Sequence, residues 1–240
     1  MIHRTLDAAH LNAVANDPNV RPTLGGEGEI DLTGLIADPA NLALVADGGG
    51  FVLTPLAPGH LEVHSMFRPK ADAIGAMREA MDWVFTRTDC VSIWSKVPKE
   101  NRAAKGFARA GSLRVLFERE HETLGATEFC ELPLMRWAMN TPELESQGER
   151  FHALLEAAKR EAGSSLPEHP HDPAHERAVG AALLMFERGQ PGKAASFYSL
   201  WARAAGYQPI QLLSVAPVTV DVGDAIIGLG RDGMEVLQCR

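Results

Sequence analysis

The stretch that decides the fold is 59-GHLEVHSMFRPKADAIGAMREAMDWVFTRTDCVSIWSKVPKENRAAKGFARAGS-112. Polar and apolar residues alternate from His60 to Phe67, which predicts a strand with two different faces. Apolar residues then recur at helical spacing from Asp72 to Phe85, and a short β-rich run follows from Cys90 to Val97. A second helix is predicted from Asn101 to Ala110. A strand–helix–strand unit of this length favours two parallel strands joined by a right-handed crossover.

The residues around this stretch extend the sheet. Leu42–Ala46 and Phe51–Leu56 are predicted strands, and the glycines of Asp47-Gly48-Gly49-Gly50 between them are typical of a hairpin turn. Two further strands are predicted after residue 112. We therefore expect residues 1–140 to form an α/β (α+β) domain with a mixed, mostly antiparallel sheet of six or seven strands and helices on both sides.

Composition limits the classes of protein that the chain can belong to. Hydrophobic residues make up 45% of the 240 residues and charged residues 22%, as in ordinary soluble globular proteins. The formal net charge of −8 argues against sequence-independent nucleic-acid binding, and the absence of a long apolar run argues against a membrane span. We expect a cytoplasmic protein, or one carried in a larger assembly. Cys90, Cys130 and Cys239 are widely spaced, which predicts buried free thiols.

The last hundred residues are predicted to contain a linking helix and a Pro/His-rich loop over 141–172, then a smaller α+β appendage of helices and short strands over 173–240. The linking helix has only a narrow apolar stripe, so we expect it to lie on a surface or to bridge two bodies. His169, His171 and His175 lack a cysteine or acidic partner at known zinc spacing. The sequence therefore predicts no metal site.

A family resemblance is carried by four features of the first stretch. These are Glu62-Val63-His64, the helix ending in Trp83-Val84-Phe85, the pattern Val97-Pro98-x-x-Asn101-x-x-Ala104, and Gly111. Together they resemble the acyl-CoA-binding core of the GNAT acyltransferases, and more narrowly the branch found in bacteriophages and prophages. The resemblance implies a sheet with a central parallel splay that admits acetyl-CoA.

The resemblance also implies roles for individual residues. Glu62 would be the general base, with His64 beside it on the same strand face. The cofactor would contact the backbone of the strand end and the turn after it; the residues implied are Met66, Phe67, Arg68, Lys70, Ala71, Ala73, Gly75 and Asn101. Alternation alone also explains Glu62 and His64 as polar residues on a wet sheet face.

Three departures from the family pattern separate two hypotheses. The turn after the strand has no glycine before Gly75, Asp72 stands where a helix N-cap would repel a phosphate, and Ala108 replaces the tyrosine that protonates the leaving thiolate in many relatives. One hypothesis is an acetyl-CoA-dependent N-acetyltransferase acting on a small amine or a protein amino group. The other, which these losses favour, is a GNAT-fold protein with a degenerate acetyl-CoA site and no cofactor, which serves as a structural or assembly component of a phage or prophage particle and is incorporated in the virion. Its protein partners, or further copies of the chain, would then bind through the C-terminal appendage.

Overall fold

The computed structural model describes residues 1–161, 172–207, 211–215, 218–221, 225–230 and 233–239. The chain divides into two compact units. The first unit contains Met1–Phe85 and Cys90–Leu134, and the second contains Thr86–Asp89 and Met135–Arg240.

The first unit is built on one seven-stranded sheet. Its strands are β1 (His3–Thr5), β2 (Leu42–Ala46), β3 (Gly49–Ala57), β4 (His60–Phe67), β5 (Ser92–Pro98), β6 (Arg114–His121) and β7 (Gly125–Pro133), in the spatial order β1-β2-β3-β4-β5-β7-β6. The β4–β5 pair is parallel and the other neighbouring pairs are antiparallel. The helices are α1 (Ala9–Ala15), α2 (Thr33–Ala37), α3 (Ala73–Arg87), whose last two residues belong to the second unit, and α4 (Arg102–Ala110), with a 3₁₀ turn at Arg21–Thr23. This confirms the predicted fold class, a mixed, mostly antiparallel sheet with flanking helices and a central parallel pair.

The predicted hairpin forms at Asp47 and Gly48, but β3 begins two residues earlier than the sequence pattern indicates. Gly48 has φ +71°, a conformation that glycine adopts without strain. A Cβ atom on Gly49 would lie 2.3 Å from the Phe67 ring, and one on Gly50 would lie 2.3 Å from the carbonyl oxygen of Leu44. These glycines are therefore strand residues whose missing side chains make room for close packing.

Helices α1 and α2 cover one face of the sheet. The hydrophobic cluster on this side contains Ala8, Leu11, Val14, Ala15, Val20, Ile36, Ala43, Val45, Val52 and Met66. The helix α1 begins at Ala9, where the amide donates a hydrogen bond to Asp7 Oδ1 at 2.9 Å. Alternation along β3 places the Phe51 ring on the opposite face, where it packs near Phe67 and Phe107.

The second unit contains helices followed by a small sheet. The helices are α5 (Leu134–Met139), of which Leu134 belongs to the first unit, α6 (Glu143–Glu161), α7 (Pro173–Glu187) and α8 (Pro191–Ala205). The strands β8 (Gln211–Val215), β9 (Val218–Asp221), β10 (Ala225–Gly230) and β11 (Gly233–Cys239) form an antiparallel sheet in the order β11-β10-β9-β8. Of the Pro/His-rich loop, residues 162–171 lie outside the described part of the chain, and His169 and His171 with them.

The linking helix α6 packs one side against α7 and exposes the other, including Glu143, Glu149 and Arg150, in agreement with the surface position that its narrow apolar stripe led us to expect. Its buried residues include Leu144 and Phe151, but also Gly148, His152 and Glu156. Three of these five buried residues are small or polar, which a search for apolar periodicity does not detect.

Two further sequence predictions bear on the described residues. Cys90 and Cys130 are buried free thiols, as predicted, whereas the Cys239 side chain lies outside what the structure describes. No helix among the described residues combines the length and the apolar character that crossing a membrane requires.

Candidate active site

The candidate site lies where β4 and β5 separate. Their parallel pairing joins His60 to Ser92, Leu61 to Ile93 and Glu62 to Trp94, and within the described residues it ends there. Beyond this point β5 continues to pair with β7 as far as Pro98, while β4 continues to pair with β3 as far as Phe67. The backbone edge of β4 that faces β5 after Glu62 is therefore open to an extended ligand, which can hydrogen-bond to it as an added strand would.

A buried carboxylate lies at the point where the two strands separate. The Glu62 side chain is 8% exposed, and its Oε2 atom accepts a hydrogen bond from Lys96 Nζ at 3.0 Å. The other oxygen, Oε1, lies 3.9 Å from His64 Nε2. A buried carboxylate needs charged or hydrogen-bonding neighbours, and Lys96 provides one of them for Glu62.

His64 lies on the same face of β4 as Glu62, at the solvent side of the group. Burial among neighbouring atoms lowers the pKa of His64 below its ordinary value, Glu62 raises it, and Lys96 lowers it further. The net direction is downward, so the imidazole is neutral at pH 7. Since 52% of the His64 side chain is exposed, solvent screening keeps this effect modest.

The turn after β4, which would face the pyrophosphate of a cofactor, makes hydrogen bonds of its own. Asp72 Oδ1 accepts from the Gly75 amide at 2.9 Å, so Asp72 caps the start of α3. The amides of Ala71 and Ala73 donate to the carbonyl oxygens of Arg68 and Ala71 at 3.2 and 2.9 Å. Several of the amides that would bind a phosphate therefore already have protein acceptors, and Pro69 has no amide hydrogen.

The charged residues of this turn differ in what they can offer an anion. Arg68 donates to Asp17 Oδ2 and to the Ala13 carbonyl oxygen, both at 3.2 Å, so its guanidinium is bound to the α1 region. Lys70 is exposed and has φ +71°, a left-handed conformation that is unfavourable for a residue with a side chain. Of the two, Lys70 is the cation that can turn toward a phosphate without breaking an ion pair.

The other residues predicted to bind the cofactor are located around the opening. Met66 is buried in the α1 side of the core, and Phe67 packs edge-on against Phe51 at 5.2 Å between ring centroids. Ala71 lies in the turn after β4, and Ala73 is the first residue of α3. Asn101 caps α4, since its Oδ1 accepts from the Ala104 amide at 2.9 Å, and its side-chain oxygen thus has a structural use. Whether any of these residues contacts a cofactor stays a prediction.

Ala108, the residue that the sequence resemblance matches to a tyrosine of many GNAT enzymes, is buried in the core. Ala108 is 7% exposed and packs in a small cluster with Val97 and Cys130. Burial raises the pKa of the Cys130 thiol, and Glu128 adds to the rise, so this thiol stays protonated at neutral pH. Ala108 has no acidic group, and the buried Cys130 thiol with its raised pKa is a poor proton donor.

Lys96 is the residue of this site that the sequence patterns did not single out. It follows Trp94 by two positions on β5, and Trp94 pairs in parallel with Glu62. Residues paired across parallel strands share a face, and residues two apart on a strand share it too, so the register would have placed Lys96 beside the carboxylate. The register itself cannot be read from the alternation pattern.

Solved structures with a similar arrangement of elements include three acetyltransferases. A spermidine N-acetyltransferase from Vibrio cholerae, solved with CoA and spermine, is 16% identical with a TM-score of 0.48, over 57% of this chain and 96% of its own. A ribosomal-protein-S5-alanine acetyltransferase from Vibrio fischeri is 10% identical with a TM-score of 0.47, over 57% and 93%. A GNAT-family acetyltransferase from Bacillus anthracis is 14% identical with a TM-score of 0.43, over 55% and 93%. No protein-family model matches the sequence, and no curated protein matches it either.

At these identities and TM-scores, the likeness concerns the arrangement of the elements alone.

Proposed function

We propose that the first unit is an N-acyltransferase that uses acetyl-CoA to acylate a primary amine. The observation that carries this proposal is the end of the β4–β5 pairing at Glu62 and Trp94, directly beside a buried carboxylate. An extended pantetheine arm has amide groups that can bond to the open backbone of β4. The thioester would then lie within reach of Glu62.

The chemistry needs one base and a route for two protons. Glu62 takes the first proton from the acceptor ammonium group, and the free amine attacks the thioester carbonyl carbon. The C–N bond forms, the C–S bond breaks, and the nitrogen loses its second proton, which reaches the departing thiolate through water so that CoA leaves as the thiol. Neutral His64, 3.9 Å from Glu62 and half exposed, is placed to pass the proton from Glu62 to solvent.

The turn after β4 argues for weak cofactor binding. The Asp72 carboxylate occupies the first turn of α3, where a phosphate would gain from the amides and the helix dipole, and Arg68 is bonded to Asp17. These two contacts also favour a second candidate function. In that case the GNAT fold has lost turnover and its first unit serves in protein binding. The narrower prediction of a role in a phage or prophage particle is supported by none of the described residues and by none of the comparisons.

Calorimetry and thermal unfolding with acetyl-CoA test the proposal first. Binding at a hundredfold excess over the dissociation constant would stabilise the native state by about 2.7 kcal/mol. CoA release should then be measured with a panel of acceptors that includes a polyamine and a peptide with a free amino terminus. Failure to bind at millimolar acetyl-CoA would sink the enzyme proposal. Binding without turnover on any acceptor would favour the second candidate.

Glu62→Gln tests the base, because glutamine keeps the shape and cannot take the proton. We expect turnover to fall about 10² to 10⁴-fold with little change in acetyl-CoA affinity. Glu131→Gln is the matched control. Glu131 lies on the neighbouring strand β7 and bonds to Ser92 and Arg114, outside the opening. Equal turnover in Glu62→Gln and the wild type would remove Glu62 from the mechanism.

A further inference from the structure

The second unit contains a close contact between α6 and α7 that depends on two glycines. A Cβ atom on Gly148 would lie 1.8 Å from the Glu176 carbonyl oxygen, and one on Gly180 would lie 2.0 Å from the Leu144 carbonyl oxygen. Since residue 148 meets 176 and residue 144 meets 180, the two helices run antiparallel. Their backbones touch, so side chains one turn further along α6 are brought against the start of α7.

Three side chains with metal-binding atoms meet at this place. His152 on α6 and His175 and Glu176 on α7 each offer one ligand atom, and these atoms all lie within 4.8 Å of one another. The residues are 1%, 1% and 3% exposed. His152 Nδ1 lies 3.2 Å from Glu176 Oε1.

An ion pair between His152 and Glu176 would explain why these two side chains lie together, but not why His175 lies beside them. Burial of an ionised pair is costly, and an apolar pair of similar size often stabilises a fold as well. A metal ion would explain why a second imidazole converges on the same point, because two imidazoles and a carboxylate are a ligand set that Zn²⁺ takes in proteins. Ligand atoms about 2 Å from a zinc ion lie roughly 3.3 Å apart in tetrahedral geometry, close to the spacing of His152 and Glu176.

The surroundings of His175 fit a ligand whose ring is held in one orientation. Its Nε2 atom lies 3.1 Å from the Tyr198 hydroxyl group, so a metal would bind at Nδ1 while Nε2–H donates to the tyrosine oxygen. The rings of Trp201 and Tyr207 lie 5.3 and 5.8 Å from the His175 ring. Such an aromatic shell excludes water and strengthens the attraction between a cation and its ligands.

We propose that His152, His175 and Glu176 bind a divalent transition-metal ion, with Zn²⁺ the preferred ion, inside the second unit. Three protein ligands leave one position for a water molecule or a further side chain. The proposal departs from the sequence-based prediction of no metal site, and it is independent of the acyltransferase proposal because it uses no residue of the first unit. Nothing in the spacing of His169, His171 and His175 pointed to it, since two of its three ligands lie outside that triplet.

The experiment uses the full chain without a histidine tag, stripped with a chelator and then dialysed against Zn²⁺. We expect one Zn²⁺ per chain by elemental analysis. Replacement by Co²⁺ should give the visible absorption of a four-coordinate ion. Because this spectrum is recorded on the wild-type chain, the proposal can fail without any variant: a folded wild-type chain that retains no Zn²⁺ and gives no such absorption overturns it.

Variants locate the site. Glu176→Gln and His152→Gln keep side-chain volume close to the original, and each should lower Zn²⁺ affinity at least tenfold, while circular dichroism checks that the helices persist. Tyr198→Phe, which removes only the hydroxyl group that orients His175, should lower the Zn²⁺ affinity about 10 to 100-fold.

His3→Gln is the control for a surface histidine and should leave the Zn²⁺ affinity unchanged. If the double variant His169→Ala/His171→Ala abolishes binding while Glu176→Gln binds normally, the metal belongs to the loop and the proposal is wrong.

Discussion

At the scale of single residues, the candidate active site depends on three charges in a confined space. Glu62, Lys96 and His64 come from two strands whose backbones part beside them. Lys96 holds one carboxylate oxygen of Glu62, so an acceptor ammonium group has to approach the other oxygen, on the side of His64. Because His64 lies beside that second oxygen, its pKa can be measured to test this arrangement of charges.

The pKa of His64 gives the first prediction. Burial and Lys96 lower it and Glu62 raises it, so an NMR titration should place it below about 6.5, the ordinary value for histidine. Glu62→Gln should lower the pKa further, since the raising charge is lost, and Lys96→Met should raise it. Shifts in the opposite order would show that the three side chains do not meet in solution as described here.

The lowered pKa of His64 also determines how the free energy of unfolding changes with pH. The unfolded chain binds a proton at His64 near pH 6.5, whereas the folded chain binds it only at a lower pH. The stability that His64 contributes is therefore present above pH 6.5 and is lost as the pH falls toward the folded-state pKa. Urea unfolding at pH 7.5 and 5.5 should show a larger loss for the wild type than for His64→Gln, and a small one because His64 is half exposed.

At the scale of secondary-structure elements, the start of α3 decides whether a phosphate can bind. Asp72 accepts a hydrogen bond from the Gly75 amide, so that amide is not available to a phosphate. The negative charge of Asp72 would also repel a phosphate. Two substitutions separate these effects. Asp72→Asn removes the charge and keeps a good capping residue, whereas Asp72→Ala removes both.

We expect Asp72→Ala to lower the free energy of unfolding by about 0.5–2 kcal/mol and Asp72→Asn to leave it nearly unchanged. Acetyl-CoA affinity should rise in both variants, by about fivefold at low salt if roughly 1 kcal/mol of repulsion at contact distance is relieved. Calorimetry at two salt concentrations checks this. If Asp72→Asn binds no better than the wild type, the charge is not what limits affinity, and the hydrogen bonds within the turn are.

The elements also separate what the sequence can predict from what it cannot. β4 was predicted with both ends correct, because alternation reflects the pleat of the strand directly and Gly59 precedes it. Lys96 was missed because it depends on the register between strands, which is a long-range property. His152 and Glu176 were missed because they meet across two helices, and because the face of α6 that packs is partly glycine, histidine and glutamate.

At the scale of the whole molecule, the two proposed ligands belong to different units. The opening beside Glu62 lies in the unit formed by Met1–Phe85 and Cys90–Leu134, and His152, His175 and Glu176 lie in the other. Each unit has its own buried residues. The predicted partners of the C-terminal appendage, proteins or further copies of this chain, stay a prediction.

Scanning calorimetry should therefore resolve two unfolding transitions, because each compact unit can melt on its own core. Acetyl-CoA should raise the midpoint of one transition and Zn²⁺ that of the other, each through binding to the folded form. Glu176→Gln should abolish the Zn²⁺ shift and leave the acetyl-CoA shift intact. A single transition raised by both ligands would contradict this description.

The two buried thiols of the first unit, Cys90 and Cys130, make its breathing measurable. Both are shielded in the folded sheet, and burial keeps Cys130 protonated and so unreactive. A thiol reagent can therefore modify them only in the moments when the sheet opens. In a chain that carries Cys239→Ser, only Cys90 and Cys130 can react, so the rate of labelling measures how often the sheet opens. If the sheet opens where the β4–β5 pairing ends, a cofactor that bridges these strands should slow the labelling.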